Sequence, residues 1–351
     1  MFRRTPIRTK LLSAEVDEWA GRATLDIIGQ GAFGQSFNAV QDPDNELSRT
    51  YRSMFKPGRV DQILGAIGFL LPQWIVRRLP FLRNDTMQRS SDFLRDFCRS
   101  SIESKRKNPE AGLADERDIL TVAMRSGGFS DEDLVEQMMT FLAAGHETTA
   151  TALTWAVYLL SKNPQIQTRL RDEVQSLLPN PLEDPTAIVT SETIEKMPYL
   201  NNVCREVLRL FPPAAATMRV AVKDTTICGQ YIPEGTTLMI SPWAVNGSTE
   251  LWGSNAGEFN PERWQPNPSG SSAEVMSTNY QYITFLHGPR SCIGQSFAMG
   301  EFKCLVAAWV GAFETELQDP DYVPVIKSGI TAKPKDGLHV RVRPLAGSPE
   351  Q

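Results

Sequence analysis

One uninterrupted helical pattern constrains the fold of this chain more than any other feature. It begins at Ser130-Asp131-Glu132-Asp133, a capping box in which Ser130 is the N-cap and an acid follows three residues later. Apolar side chains then recur at helical spacing as far as Ser161, after which Asn163-Pro164 starts a further helix. About 30 residues at 1.5 Å each give a helix of about 45 Å, which must cross the middle of a large domain.

Helical patterns dominate the first part of the chain, and short strands enter in the last third. Besides the long helix, the predicted helices cover Ala14–Ile28, Thr86–Lys105 and Gly294 to about Thr315. The predicted strands are Thr225–Cys228 and Tyr231–Ile232, which form a hairpin around Gly229-Gln230, then Thr236–Ser241, and Leu338–Val342 at the end of a C-terminal hairpin. We therefore predict one mostly α (α+β) domain over residues 1–351, with small β-sheets beside a long central helix.

Charge, cysteine and histidine content exclude several classes of function. The 351 residues carry a formal net charge of −5, which does not suit a nucleic-acid binder. Five cysteines without a C-x-x-C pair and three histidines exclude a zinc knuckle and a multi-histidine metal site, so a bound metal would need a cysteine ligand. The longest apolar run, Ile63–Leu71, stops at Pro72, short of the roughly 20 apolar residues of a membrane span. We expect no transmembrane segment, and a chain that is soluble as written.

Two short motifs point to functions that the rest of the sequence does not support. Gly29–Gly34 fits the G-x-G-x-x-G pattern of phosphate-binding loops, but neither a βαβ unit nor the other kinase motifs accompany it. We interpret it as a helix end followed by a Gly-rich turn. His146-Glu147 begins like the zinc-binding H-E-x-x-H motif, but Ala150 stands where the second zinc ligand is required.

A single cysteine stands between two glycines, directly before a predicted helix, in Phe285–Gly294. Glycine allows a close approach of the backbone that other residues prevent. A helix N-terminus presents unpaired N–H groups, which lower the pKa of a thiol. The segment is therefore suited to hold a thiolate against a large flat group, although a buried structural cysteine is the other interpretation of the segment taken alone.

This segment resembles the haem-binding loop of the cytochrome P-450 family. The family pattern F-x-x-G-x-R-x-C-x-G is met at every specified position. The resemblance implies haem b as cofactor, with Cys292 as the axial thiolate ligand of the iron. It further implies that Phe285 shields the sulfur, that Arg290 pairs with a haem propionate, and that Gly288 and Gly294 belong to the cofactor-binding loop.

A second resemblance lies midway along the long helix. Ala144–Thr149 is similar to the oxygen-activation motif of the same family. The similarity implies catalytic roles for Gly145, Glu147 and Thr148, which would open a notch for dioxygen in the helix and relay protons. A small-residue packing site is the other interpretation of the glycine, but it does not explain a glutamate in an apolar stretch.

Two charged motifs complete the resemblance. Glu206-Val207-Leu208-Arg209 is similar to the family motif E-x-x-R, and Pro261-Glu262-Arg263-Trp264 to P-E-R-[FW]. They imply a buried structural cluster of Glu206, Arg209 and Arg263 that locks the loop of Cys292. A solvated surface ion pair is the other interpretation of Glu206 and Arg209 alone.

Together these motifs imply a microsomal-type cytochrome P-450 fold and a haem-thiolate monooxygenase. Such an enzyme would insert one oxygen atom from O2 into a bulky apolar small molecule, with electrons from NADPH through a cytochrome P-450 reductase. The small side chains of Ala214–Ala216 favour a bulky substrate, such as a terpenoid or polyketide of secondary metabolism.

The chain departs from the family pattern at its N-terminus. The membrane anchor and first helices that the family normally carries have no counterpart before the first predicted helix. A full-length relative is expected on the cytosolic face of the endoplasmic reticulum membrane. The alternative hypothesis is a catalytically inactive, truncated remnant that still binds haem.

Overall fold

The computed structural model describes residues 11–55, 82–107, 118–186, 188–265, 278–327 and 331–345. In these residues long helices are accompanied by small antiparallel sheets, which confirms the mostly α fold class. The apolar run Ile63–Leu71 lies outside the described residues. None of the described helices combines the length and the hydropathy that crossing a bilayer would require.

The helices of the described residues vary from one turn to nearly nine turns. They are α1 (Val16–Ile28), α2 (Glu46–Phe55), α3 (Leu82–Lys107), α4 (Ile119–Ser126), α5 (Asp131–Lys162), α6 (Pro164–Leu177), α7 (Ser191–Glu195), α8 (Pro198–Leu210), α9 (Pro242–Asn246), α10 (Thr249–Trp252) and α11 (Gln295–Ala312). A π-helical turn, Gly29–Phe33, follows α1, and 3₁₀ turns cover Pro261–Trp264 and Gly288–Arg290.

The described strands form four small sheets, in which every pairing is antiparallel. They are β1 (Leu12–Glu15), β2 (Thr217–Val220), β3 (Thr225–Ile227), β4 (Gln230–Ile232), β5 (Thr237–Ile240), β6 (Phe313–Leu317), β7 (Ile326–Lys327), β8 (Lys333–Pro334) and β9 (His339–Pro344). The largest sheet has the order β1-β9-β6, with Ala14 opposite Val340 and Thr315 opposite Val342. The other three sheets pair β2 with β5, β3 with β4 and β7 with β8.

The long helix begins where its capping box predicts. The Ser130 backbone N–H donates to the Asp133 carboxylate at 3.0 Å, and the Asp133 N–H donates to Ser130 Oγ at 3.2 Å. This reciprocal pairing satisfies two amide groups that would otherwise lack partners at the helix start. The helix then runs for 32 residues, and Pro164 opens the next helix, so both predicted boundaries are confirmed.

Two compact units divide the chain. The smaller unit is Gly21–Glu147, and the larger unit consists of Met1–Ala20 and Thr148–Gln351. The smaller unit has its own apolar core, to which α1, α3, α4 and the first half of α5 contribute. The larger unit has a separate core, formed by the second half of α5 together with α6, α8, α11 and the β1-β9-β6 sheet. A single domain over residues 1–351 stays a prediction.

Three predicted boundaries are wrong. Ala14 and Glu15 belong to strand β1 rather than to the first helix, because they pair with β9. The hairpin turn lies at Cys228-Gly229 rather than at Gly229-Gln230, since both turn residues have positive φ, +48° and +78°. This is the geometry of the two-residue turns that match strand twist.

The third error concerns the helix predicted from Gly294 to about Thr315. Helix α11 ends at Ala312, and Phe313–Leu317 forms strand β6. The side-chain amide of Gln167 accepts from the Thr315 N–H at 2.9 Å and donates to the Thr315 carbonyl at 2.9 Å, so it occupies both backbone groups of that residue. Strand β9 pairs with β6 and β1 as the centre of a sheet, rather than as half of an isolated hairpin.

Candidate functional site

The segment around Cys292 is a closed loop before α11. The Cys292 N–H donates to the Phe285 carbonyl at 2.9 Å, which closes the loop. Within it, Leu286 and Gly288 have positive φ values of +58° and +74°, and the Ser291 N–H donates to the Gly288 carbonyl at 3.0 Å. These bonds fix the backbone on both sides of the cysteine, so the direction of the thiol is set by the loop.

The surface beside the Cys292 thiol is apolar and exposed. Cys292 itself is exposed, Ile293 is 90% exposed, and Phe297 on the first turn of α11 is 39% exposed. A Cβ on Gly294 would lie 4.0 Å from the Cys292 sulfur, which is an ordinary van der Waals contact. Arg290 is exposed, and no described acid pairs with its guanidinium.

The other four cysteines are less suited to act as thiolate ligands. Burial raises the pKa of the Cys98 thiol to about 12 and also raises the pKa of the Cys204 thiol. Burial and the nearby Glu301 raise the pKa of Cys304. Cys228 is exposed, but it occupies the tight turn between β3 and β4.

Glu206, Arg209 and Arg263 form a buried cluster of charges. The Glu206 carboxylate and the Arg209 guanidinium are both 0% exposed, and Arg209 donates to both carboxylate oxygens at 2.8 Å. Arg263 donates to Glu206 Oε1 at 3.3 Å, the Trp264 indole N–H donates to Oε2 at 2.9 Å, and the Asn260 N–H donates to Oε1 at 3.1 Å. The structure therefore brings the three predicted charges together. Five donated hydrogen bonds offset the desolvation of the carboxylate.

A chain of hydrogen bonds connects this cluster to the thiol loop. Arg209 donates to the carbonyl of buried Asn246 at 2.9 Å. The Asn246 side chain then accepts from the Ile283 N–H at 3.0 Å and donates to Thr284 Oγ1 at 2.7 Å. Phe285, whose carbonyl closes the loop, follows Thr284 directly. Sequence reasoning missed Asn246, because an asparagine at the end of a short helix carries no distinctive pattern.

The residues of the predicted oxygen-activation motif belong to two units, with Ala144–Glu147 in the smaller unit and Thr148–Thr149 in the larger unit. In the smaller unit, His146 Nε2 lies 2.9 Å from the Gly21 carbonyl, and its ring packs edge-on against Tyr51. Glu147 is 8% exposed, and its charge adds to the burial that raises the pKa of Tyr51. Helix α5 runs through the motif as one α-helix, and the notch that the resemblance implies stays a prediction.

Gly145 has a packing role in the smaller unit. A Cβ at this position would lie 2.7 Å from Ile28 Cδ1, so only glycine lets the buried Ile28 side chain approach α5 this closely. This is the packing interpretation of the glycine, and the structure supports it. Its predicted part in oxygen binding stays a prediction.

In the larger unit, Thr148 and Thr149 follow on the same helix. Thr148 is half-buried and Thr149 is buried. The Thr149 hydroxyl lies beside the buried carboxyl of Glu301 on α11, whose pKa burial raises to about 8. Sequence reasoning missed Glu301, although a lone carboxylate among apolar residues, nine positions after Cys292, is an available signal.

The residues around Cys292 fit a haem. Among the described residues, no group of three or more His, Cys, Asp or Glu side chains gathers to hold a bare metal ion. A metal on this single thiol would therefore take its other ligands from a prosthetic group. An exposed thiol flanked by exposed Ile293 and Phe297 suits a flat apolar macrocycle, and the exposed Arg290 can bind a carboxylate at its edge.

Comparison with known proteins gives consistent matches. A family model described as cytochrome P-450 matches residues 5–340. The chain is 45% identical to cytochrome P-450 monooxygenase sphH of Aspergillus fumigatus over 337 residues, which is 95% of this chain and 62% of that protein. It is 41% identical to cytochrome P-450 monooxygenase FUM15 of Gibberella moniliformis, over 97% of this chain and 65% of that protein. It is 42% identical to cytochrome P-450 monooxygenase ALT8 of Alternaria alternata, over 96% of this chain and 63% of that protein. The chain thus spans less than two thirds of the length of these relatives.

Proposed function

Because this chain belongs to the cytochrome P-450 family, we propose that Cys292 binds the iron of haem b and that the protein is a haem-thiolate monooxygenase. The observation that carries the proposal is the Cys292 thiol itself. It is exposed, its loop is closed by the hydrogen bond to Phe285, and that loop is anchored on a buried charge cluster. We propose further that residues 1–351 form one catalytic domain.

Each residue of the Cys292 loop has its own proposed role in binding the cofactor. Cys292 would supply the thiolate ligand of the iron, and Gly294 lies beside its sulfur in the same loop. Phe285 shields the sulfur from water, Gly288 shapes the loop through its positive φ, and Arg290 pairs with a propionate. When bound, haem b supplies the redox chemistry that inserts one oxygen atom from O2 into a C–H bond.

The oxygen-side residues lie on α5. In this proposal the Glu147 carboxyl group and the Thr148 hydroxyl relay protons towards the reacting oxygen. A part of Gly145 in oxygen binding belongs to the same proposal, in addition to its packing against Ile28. The burial of Glu147 supports a proton-handling role, because a glutamate in an apolar stretch needs a functional reason to be there.

Substrate, electron source and location complete the proposal. The substrate is a bulky apolar small molecule, such as a terpenoid or polyketide of secondary metabolism. Ala214 and Ala216 support this choice, because their small exposed side chains leave room after α8. Electrons come from NADPH through a cytochrome P-450 reductase, and a full-length relative is expected on the cytosolic face of the endoplasmic reticulum membrane.

The test is the carbon monoxide difference spectrum of the reduced protein, expressed with a haem precursor. The wild-type chain should give the red-shifted Soret band of thiolate-ligated haem, because Cys292 supplies a thiolate. Cys292→Ser should lose that band, since a serine hydroxyl is not ionised at neutral pH. Cys304→Ser is the matched control and should keep the band, because burial raises the pKa of that thiol.

Two outcomes would overturn parts of the proposal. A red-shifted band that survives in Cys292→Ser would exclude Cys292 as the ligand. A wild-type chain that shows the band, but consumes no NADPH above the reductase background, would favour the inactive haem-binding alternative.

A further inference from the structure

An unpaired buried carboxylic acid joins α5 and α11 in the larger unit. Glu301 on α11 is 8% exposed, and both of its carboxyl oxygens are buried without a hydrogen bond of standard geometry to any described residue. The Thr149 hydroxyl on α5, which is 3% exposed, is also buried and without such a bond. Buried polar atoms nearly always have partners, so three unpaired atoms at one helix contact need an explanation.

The surroundings of Glu301 do not stabilise a negative charge. The side chain lies on a largely apolar helix, and no cation of the described residues forms an ion pair with it. The charge of Lys303, two positions further along the chain, lowers the pKa of the Cys204 and Cys304 thiols and so opposes part of the rise caused by burial. An ionised carboxylate in such a place would have neither a counter-charge nor a full set of donors, and proteins avoid this by keeping the group protonated.

Thr149 and Cys304 are neighbours of Glu301 among the described residues. From α5, Thr149 faces it, and from α11 itself, Cys304 does so one turn away. Cys204 on α8 interacts with Cys304 and Lys303 rather than with Glu301. Burial raises the pKa of the Glu301 carboxyl to about 8, and the Thr149 hydroxyl, which can donate to the carboxylate once it is ionised, opposes part of that rise.

We propose that Glu301 is a neutral carboxylic acid in the folded protein at neutral pH, and that it is a positioning residue which donates a hydrogen bond to Thr149 Oγ1. Through this bond it fixes the turn of α5 that carries Thr148. The positioning role rests on the proposed function, in which Thr148 Oγ1 passes a proton. The protonated state of Glu301 does not.

The first test is infrared difference spectroscopy of the protein between pH 6 and pH 10. The wild type should lose one carboxylic-acid carbonyl band with a midpoint near pH 8, and Glu301→Gln should lack that band at every pH. Glu250→Gln, which replaces an exposed glutamate on α10, is the matched control and should keep the band. A wild type without such a band at pH 7 would overturn the proposal.

A second variant keeps the proposal testable if Glu301→Gln does not fold. Thr149→Val removes the hydroxyl that lowers the pKa of Glu301 and should therefore move the midpoint of the band to higher pH. An unchanged midpoint in Thr149→Val would show that the two side chains do not interact.

The positioning role has its own readout, which needs no turnover. In protein labelled at the threonine methyl groups, the Thr148 and Thr149 resonances should shift with the Glu301 midpoint in the wild type. They should stay constant in Glu301→Gln, because the glutamine amide donates at every pH. A Thr148 resonance that ignores the ionisation of Glu301 would overturn the positioning role.

Turnover of the haem-loaded protein separates the two proposals. With reductase present, the product formed per NADPH should fall above pH 8 in the wild type and stay level in Glu301→Gln. If the infrared band and the methyl shifts are present but no variant turns over, the proposed function fails while the protonation of Glu301 stands. If turnover is normal but the band is absent, the assignment of Glu301 fails alone.

Discussion

Arg209 shows how one residue can stabilise a site without contacting a ligand. Its guanidinium binds Glu206 through two hydrogen bonds and also donates to the carbonyls of Asn246 and Ala256. Truncation would leave the buried Glu206 carboxylate with too few donors and would release both carbonyls. The loss of one partner of a buried pair costs more than the intact pair contributes.

We therefore expect Arg209→Ala to destabilise the fold by ~3–5 kcal/mol. Urea unfolding followed by circular dichroism measures this change in the free energy of unfolding. Arg343→Ala is the matched control, because Arg343 forms an ion pair with Glu314 in which both side chains are about half exposed. That pair should contribute less than about 1 kcal/mol. Equal effects of the two substitutions would contradict a structural role for the buried cluster.

Thr148 is the residue at which stability and chemistry should separate. Thr148→Ala should leave the melting temperature nearly unchanged, because alanine is the better helix former. It should also uncouple the reaction, since the hydroxyl proposed to pass the proton is lost. The measurement compares NADPH consumed, peroxide released and product formed in the haem-loaded protein with reductase. Unchanged coupling would remove Thr148 from the proposed mechanism.

At the scale of elements, the contact between α1 and α5 in the smaller unit depends on Gly145. Gly145→Ala gains about 1 kcal/mol of helix propensity but drives a methyl group against the Ile28 side chain. Overpacking of this kind costs about 1–3 kcal/mol, so we expect a net loss of stability. Ile28→Val removes the Cδ1 methyl group and should recover part of that loss. Thermal unfolding of both single variants and the double variant measures the coupling, and strictly additive effects would contradict the contact.

Elements whose signals are local were predictable from the sequence. The start of α5 is encoded by Ser130 and Asp133, which are three residues apart. The end of α11 was not predictable, because Thr315 becomes a strand residue through Gln167 and through β9, both far away in the sequence. The position of the β3–β4 turn failed for another reason: Cys228 adopts a positive φ, which a residue other than Gly or Asn seldom does.

At the scale of the molecule, acid should reduce the stability that Asp118 gives the smaller unit, and alkaline pH should reduce the stability of the larger unit through Glu301. In the smaller unit, burial alone would raise the pKa of Asp118, but donation by the Thr121 N–H, the Lys105 ammonium and the Thr121 hydroxyl together lowers it. A lowered pKa in the folded state contributes stability above the ordinary pKa of the group, and this stability is lost as pH falls through the folded pKa. In the larger unit Glu301 has a raised pKa, so its contribution is lost as pH rises towards 8.

We expect Asp118→Asn to lower the free energy of unfolding by about 2 kcal/mol at pH 7, because the hydrogen bonds to the charged group are lost. The difference from the wild type should shrink as pH falls through the lowered pKa of Asp118, because the wild-type carboxylate is then protonated as well. Urea unfolding from pH 7 to pH 3 measures this difference, with Asp172→Asn as the control at an exposed position. A difference that stays constant with pH would exclude the ionised carboxylate as the source.

The sequence predicted the site unevenly across the molecule. Cys292 and the Glu206 cluster could be predicted because each lies in a motif of charged, glycine or cysteine residues that is specific enough to recognise in the sequence. Glu301 and Asn246 were not, because their importance arises from neighbours that the fold brings together. A carboxyl group becomes unusual only when burial removes its water, and sequence alone does not show which side chains cover it.

The hydrogen-bonded path from Glu206 to Phe285 has a consequence for the order of assembly. Asn246 can accept from Ile283 and donate to Thr284 only once α9 has docked, and Arg209 holds the carbonyl of that asparagine. The hydrogen bonds that hold the Cys292 loop are therefore complete only when α8, α9 and Ile283–Thr284 have packed together. Before α9 has packed, a newly made chain would have no ordered Cys292 loop to bind the cofactor. On the proposed function, haem would then bind only to molecules in which these hydrogen bonds have formed.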